Sequence, residues 1–338
     1  MIDVLVAGGG PVGLAAAVRA RQLGLTVTVV EPRRTPVDKA CGEGLMPSAV
    51  TAVRALGVEP VGVPFRGIRY VRDDHAVEGF FRAGCGLGVR RTTLHAALAA
   101  RARELGVQRV TGRVTGIQQH RGHVEADGRS ARWLIAADGL HSPVRRHLGL
   151  DRPVRTSPRY GLRRHFTAEP WTDLVEVHWC EDAEAYVTPV APHEVGVALL
   201  SGPGRRYEEI LGRFPALLAR LTAAAPSSDV RGAGPLHQVA RTPAYGRVLL
   251  VGDAAGYVDA LTGEGLATGL ATAAAAVDAL AAGRPEQYAA AWRAATRRYR
   301  WMTTALLRAG EQPALRRALV PAAARAPWLF TRAVNALA

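Results

Sequence analysis

The chain has 338 residues, a length that suits two domains of about 150 residues or one large domain with an insert. Hydrophobic residues make up 48% and charged residues 21%, which excludes a disordered tail and a collagen-like chain. The net charge of +14 is carried by arginines spread along the chain, with Lys39 the sole lysine, a pattern that fits a GC-rich genome better than a nucleic-acid site.

That charge leaves room for an anionic substrate, an acidic carrier protein or an anionic membrane surface, while nucleic acid is not expected as a partner. Cys41, Cys85 and Cys180 build neither a disulfide framework nor a zinc spacing, which suits a reducing cytoplasm, and no metal is expected. No run of 18 uncharged apolar residues occurs, so no transmembrane helix is expected. Met1 to Ala7 lacks a basic start and meets glycines at once, so it reads as a buried strand and not as a signal peptide.

Ile2 to Ala7 predicts that first strand. Gly8-Gly9-Gly10-Pro11-Val12-Gly13 follows, then an Ala-rich helix from Leu14 to Leu23 that Gly24 ends. Thr26 to Val30 predicts a second strand, with Glu31 at its end, 18 residues after Gly13. Gly8 allows a tight turn, Gly10 lets the backbone approach a pyrophosphate, and Gly13 lets the helix pack close to the strand. The helix N-terminus offers N–H groups and a positive dipole end to phosphates. Glu31 is placed to accept hydrogen bonds from an adenosine ribose. The complete unit points to a dinucleotide and by itself leaves NAD and FAD both open. Arg33 and Arg34, after Pro32, are candidates for the adenosine end of FAD or the NADPH phosphate, with simple solvation as the plainer alternative.

Arg90-Arg91-Thr92-Thr93-Leu94-His95-Ala96-Ala97-Leu98 predicts a helix start, with Leu94 and Leu98 on one face and an Arg just before it. Arg132 to Ala137 predicts a short strand that runs into Asp138-Gly139. From Arg159 to Leu200, polar and apolar residues alternate in several places, as in half-buried antiparallel strands. Arg163, His165, Tyr186 and Thr188 are the polar groups such a sheet would offer, though a single His in a sheet is more often satisfied structurally. Arg247 to Val251 predicts another buried strand before Gly252-Asp253-Ala254-Ala255-Gly256. Asp259 to Leu266 follows, where Gly263 and Gly265 permit close backbone approach ahead of an Ala-rich helix. Helices are predicted from Pro285 to Ala309 and from Pro313 to Ala338, with Gly310 as the stop between them. The last mixes Arg316, Arg317, Arg325 and Arg332 with Leu319, Trp328, Leu329 and Phe330; packing against the body or a dimer contact is expected ahead of a membrane surface.

The glycine turn, Asp138-Gly139 and Gly252-Asp253, in this order, resemble the motifs of the group A flavoprotein monooxygenases and the related geranylgeranyl reductases. The resemblance covers essentially the whole chain. It implies an α/β fold: a Rossmann-like FAD-binding domain of the glutathione-reductase type, an inserted mixed β-sheet substrate domain, and C-terminal helices. The implied division is 1–64, 88–156 and 246–290 for FAD, 65–87 and 157–245 for substrate, and 291–338 for the helical end. FAD is implied as the bound cofactor and NAD(P)H as its transient reductant. The implied cofactor contacts are Gly8, Gly10, Pro11, Val12, Gly13, Glu31, Pro32, Arg33, Arg34, Cys41, Gly42, Arg91 (or Arg90 in its place), Asp138, Gly139, Gly252, Asp253 on the ribityl chain, Gly263, Gly265 and Leu266.

Lys39-Ala40-Cys41-Gly42-Glu43-Gly44-Leu45-Met46-Pro47-Ser48 resembles the Cys-Gly segment of the reductases, which sets Cys41 and Gly42 beside the flavin ring; a buried structural Cys is the plainer reading. Cys41, Gly42, Tyr186 and His165 are the candidate catalytic residues. Reductases of this family carry Tyr-x-Trp-x-Phe-Pro, whereas here Tyr186 stands for the Trp, Thr188 for the Phe, and only Pro189 remains. Ala260 stands where many relatives have Pro, and the Trp-x-Trp-x-Ile-Pro motif of flavin halogenases is absent. The implied activity is NAD(P)H-driven monooxygenation of an aromatic or polyketide-type small molecule by O2, through a flavin C4a-hydroperoxide, in secondary metabolism. The alternative is reduction of a C=C bond in a lipophilic substrate. A monomer or homodimer is expected.

Overall fold

The computed structural model describes residues 1–154 and 156–338. Five strands lie side by side and parallel: Val248–Leu250, Arg129–Ala136, Ile2–Ala7, Val27–Val30 and Gln108–Val110. Ala244–Tyr245 adds an antiparallel edge, and the hairpin Ile117–Gln119 with Val124–Ala126 pairs antiparallel with Arg129–Ala136. A parallel sheet must be covered on both faces. Helices Pro11–Gln22 and Gly265–Ala281 cover one face, through Ala16, Ala17, Ala20, Ala273, Ala276 and Val277. Val114, Val144, Leu150 and the hairpin cover the other. The first strand stands where the chain turns to opposite sides for its next two neighbours, and the crevice at such a switch point is where ligands bind.

A second, mixed sheet has seven strands in the order Arg231–Ala233, Tyr160–Phe166, Glu194–Ser201, Ala183–Ala191, Leu174–Trp179, Gly67–Arg72 and His75–Phe80. All neighbours are antiparallel except Gly67–Arg72 with Leu174–Trp179, which run parallel. The period of two sorts its side chains. Ala183, Ala185, Val187, Val197 and Leu199 pack under helices Tyr207–Leu211 and Pro215–Leu221. Tyr186, Thr188, Val177 and Leu200 project from the other face into the cavity between the two sheets.

The C-terminal region departs from the expected pair of helices. Gly310 lies inside helix Tyr288–Glu311, and the break falls at Gln312, in front of Pro313. The expected single helix to Ala338 is two, Pro313–Arg325 and Pro327–Leu337. The cause is local: Ala326 precedes Pro327, the ring disfavours helical geometry at that residue, and Ala326 sits at φ −134°, ψ 64°. The bend lets the last helix fold back over strand His75–Phe80. Gly79 makes that approach possible, because a Cβ there would lie 2.9 Å from Val334 and 3.1 Å from Phe330. Among the described residues, no helix is long and apolar enough to cross a membrane.

Candidate active site

One cavity of about 930 Å³ lies between the parallel sheet, the mixed sheet and the C-terminal helices. It is polar at one end and apolar at the other, because different layers supply the walls.

The polar end is built on the first strand–helix turn. Gly8 has φ +100°, and a Cβ there would stand 2.5 Å from the Ala137 carbonyl oxygen. A Cβ on Gly13 would stand 1.9 Å from the Gly8 carbonyl oxygen. Both positions therefore exclude any side chain, and Gly13 itself stays beneath the cavity wall. Gly10 differs: its nearest neighbour would be Arg91 Nη2 at 3.9 Å, so its open face borders the cavity. No side chain caps helix Pro11–Gln22, and no acid sits in its first turn. Its N-terminus thus presents a dipole end to the cavity, as phosphate binding requires.

Glu31 is fully buried and lines this end. Its Oε2 accepts the Gly9 N–H at 2.8 Å, and its Oε1 accepts the Arg33 N–H at 3.0 Å and Arg33 Nε at 2.7 Å. Burial opposes its charge, but the hydrogen bonds from Arg33 and Gly9 outweigh burial and lower its pKa. The Glu31 carboxylate is therefore a charged acceptor at this end of the cavity. Pro32 and Arg33 border the cavity, whereas Arg34 is exposed and stands outside its wall.

Asp138 and Asp253 close the middle. Asp138 Oδ2 accepts the Val144 N–H at 3.0 Å, which anchors the start of helix Pro143–His147. Its Oδ1 is buried with no partner among the described residues. Burial raises the Asp138 pKa, against hydrogen bonds from Ser142 and Val144. Lys39 Nζ stands 3.4 Å from Asp253 Oδ2 and close to Gly139, so the sole lysine spans both motifs. Gly139, Gly263, Gly265 and Leu266 line the cavity, while Gly252 packs beneath it against Val12. Arg91 lines the cavity and its Nε has no partner among the described residues. Arg90 instead pairs with Glu194 at 2.7 Å, so the geometry favours Arg91. The open Gly10 face, the orphaned Asp138 Oδ1 and Arg91 Nε, and the uncapped helix fit an FAD stretched along this cleft.

At the junction with the apolar end, Tyr186 donates its hydroxyl proton to the Leu261 carbonyl at 2.9 Å. Thr188 donates to the Gly42 carbonyl at 2.8 Å. The mixed sheet thereby holds both the Gly42 loop and the Leu261 loop at the cavity wall. Cys41 and Gly42 line the cavity, and Cys41 Sγ accepts the Glu43 N–H at 3.4 Å. His165 does not reach the cavity. It is fully buried behind Glu43, with Nε2 2.5 Å from Glu43 Oε2 and Nδ1 2.8 Å from Ser228 Oγ.

Glu43 and Lys39 escaped the sequence-based site. Glu43 has φ +59°, and its Oε1 accepts the Arg91 N–H at 2.8 Å, which ties the Cys41 loop to the helix start. Its signal was a charged residue set between Gly42 and Gly44. The helical end was missed as well: Met302, Leu306, Leu319 and Phe330 form the apolar wall. A buried ion network links the layers. Arg159 pairs with Glu184 at 2.5 Å and with Asp259 at 2.9 Å, and Arg316 pairs with Glu184 at 2.5 Å. Mixed sheet, flavin loop and C-terminal helix thus meet at one cluster of charges.

Comparison with known proteins agrees with this geometry. A family profile described as an FAD binding domain matches residues 1–291. Menaquinone reductase from Mycobacterium tuberculosis is 30% identical over 321 residues, spanning 82% of this chain and 76% of that protein. A 3-(3-hydroxy-phenyl)propionate/3-hydroxycinnamic acid hydroxylase from Klebsiella pneumoniae is 25% identical over 307 residues, spanning 79% of this chain and 53% of that one. Among solved structures, p-nitrophenol 4-monooxygenase from Pseudomonas putida superposes with a TM-score of 0.79 at 19% identity, covering 99% of this chain and 98% of that one.

Proposed function

We propose that this chain, which belongs to the family described as an FAD binding domain, is an NAD(P)H-driven monooxygenase that hydroxylates a lipophilic aromatic or polyketide-type small molecule. The observation that carries this reading is the chamber beyond the flavin position. Its sheet and helix walls are mostly apolar; Tyr186 and Thr188 donate their hydroxyls to backbone carbonyls, and Tyr70, Tyr257 and Thr262 are the further hydroxyl-bearing residues of the cavity wall. Such a chamber orients a flat apolar ring and excludes water. Bound FAD would supply the redox and oxygen chemistry.

The chain's own residues then do the holding. Glu31 would accept the ribose hydroxyls, the Gly10 turn and helix N-terminus would take the pyrophosphate, and Asp253 would take the ribityl chain. Tyr186 and Thr188 fix the loops at Leu261 and Gly42, so the flavin face and the substrate chamber keep one spacing. Glu43 braces the Cys41 loop against Arg91.

A second reading, reduction of a C=C bond in a lipophilic substrate, is favoured by the menaquinone reductase relatives and by Cys41 in the cavity wall. One assay separates the two. FAD-loaded protein is given NADPH and a panel of long-chain phenols and prenyl quinones, with and without oxygen. Oxygen uptake matched to NADPH, with a product one oxygen atom heavier, supports the hydroxylase. Anaerobic turnover to a product that stays two hydrogens heavier after the quinol ring is reoxidised assigns the reductase. A protein that takes up no FAD overturns both.

A further inference from the structure

We propose that the C-terminal helices dock on an anionic phospholipid surface and that the apolar end of the cavity opens into it, so that a lipophilic substrate enters from the bilayer. The inference rests on reading that end as the substrate chamber. Two residues of its wall, Ala322 and Leu329, are also exposed, and they mark the mouth between helices Pro313–Arg325 and Pro327–Leu337. Beside the mouth, Trp328 is 66% exposed, Leu329 50% and Leu315 49%. Leu315 and Ala322 are seven residues apart on one helix face, so the exposed leucine lies along the line that reaches the mouth. Trp301, next to cavity-lining Met302 on the preceding helix, is 71% exposed. Large exposed aromatics are the residues that settle at a membrane interface, where an apolar body and a polar edge are both satisfied.

Charge points to the same partner. From Tyr288 to Ala338 the sequence holds nine arginines and one acid, Glu311. Arg293, Arg297, Arg298, Arg300, Arg308, Arg325 and Arg332 have no carboxylate partner among the described residues, although ion pairs are frequent elsewhere in the chain. Arg325 and Arg332 flank Trp328 and Leu329 in sequence, and Arg297 and Arg298 lie one helical turn before Trp301. Two acids of neighbouring segments are themselves paired: Glu181 with Arg317 at 2.7 Å, and Asp73 with Arg72 at 3.6 Å. Exposed indoles with unpaired arginines close by in the sequence complement an anionic, partly apolar surface. An acidic protein would satisfy the arginines but leave the rim of an open apolar chamber in water.

The test is co-sedimentation of the FAD-loaded protein with vesicles of phosphatidylcholine, alone or mixed with phosphatidylglycerol, at low and high salt. Wild type should pellet with the anionic vesicles, with a blue shift of tryptophan fluorescence. Trp301→Ser/Trp328→Ser and Arg325→Glu/Arg332→Glu should each weaken binding by about tenfold or more. None of these four side chains lines the cavity, so flavin content, melting temperature and NADPH oxidation should stay at wild-type values in both variants. Equal binding of wild type and the tryptophan variant would overturn the proposal. So would binding to an acidic carrier protein or to heparin without binding to anionic vesicles. Because vesicle binding is read without turnover, its failure leaves the hydroxylase reading intact, and failure of hydroxylation leaves docking intact.

Discussion

Arg159→Met tests whether the buried ion network holds the flavin loop in place. The substitution removes the one cation that Asp259 touches among the described residues, and one of the two at Glu184. The Glu184 and Asp259 side chains are 0% and 2% exposed, so neither charge can return to water. Breaking a buried pair from one side costs about 3–5 kcal/mol, and because Arg316 keeps one oxygen of Glu184 the expected loss is about 3 kcal/mol. For a chain of this length that lowers the melting temperature by about 4 °C. The loss should depend on pH. Burial raises the Asp259 pKa against the pull of Arg159, and deleting Arg159 raises it further. A raised native pKa means that the folded state keeps a proton the unfolded chain releases, so stability falls as pH rises through the native value. The deficit of the variant should therefore be larger at a mildly alkaline pH than at a mildly acidic one. Thermal unfolding by circular dichroism at the two pH values measures this, and flavin absorbance measures FAD retention, which should fall because Asp259 opens the loop that carries Gly263 and Gly265. A variant that melts with wild type at both pH values, or whose deficit grows on acidification, would refute the reasoning.

Gly13→Ala should yield protein with little bound flavin and a stability loss of about 3 kcal/mol or more, since the new Cβ would meet the Gly8 carbonyl at 1.9 Å. Gly24→Ala is its control: φ is +82° with nothing within 4 Å, so about 1 kcal/mol of backbone strain is expected with flavin content unchanged. Glu264, buried at the start of helix Gly265–Ala281, has its pKa pushed up to about 8. Its contribution to stability is full below the ordinary Glu value and is lost as pH climbs toward about 8. Glu264→Gln should therefore flatten the decline in melting temperature between about pH 6 and about pH 8, and a variant as steep as wild type would contradict the assignment.

What the sequence revealed was local. The turn from Gly8 to Gly13, the strand Ile2–Ala7, the acid Glu31 and the Leu94–Leu98 face each depend on residues within a few positions of one another, where spacing fixes geometry. The alternation at Tyr186 and Thr188 is local too, and it placed both side chains on the cavity face of the mixed sheet. What stayed hidden depends on distant partners. Glu43 meets His165 across 122 residues, and no periodicity announces that pairing. The cover that Phe330 and Val334 give to Gly79 spans about 250 residues and exists only because Pro327 bends the chain. The single helix expected to Ala338 is broken because Pro327 disfavours helical geometry at Ala326, which here prevails over the run of helix formers around it.

The same division explains how the cavity comes to be polar at one end and apolar at the other. The dinucleotide end is made by loops at the carboxyl ends of parallel strands, where glycines, backbone N–H groups and short acids are forced by the turn geometry. The far end is made by one face of a sheet and by the inner sides of the three C-terminal helices, where geometry asks only for apolar bulk. Its shape is then set by side-chain size at Met302, Leu306, Leu319 and Phe330, which form no part of the cofactor cradle. The Arg159, Glu184, Asp259 and Arg316 cluster joins the two ends. A substitution in the helical wall can therefore change which substrate fits while the flavin site stays assembled, whereas a break in the charged cluster disturbs both ends at once.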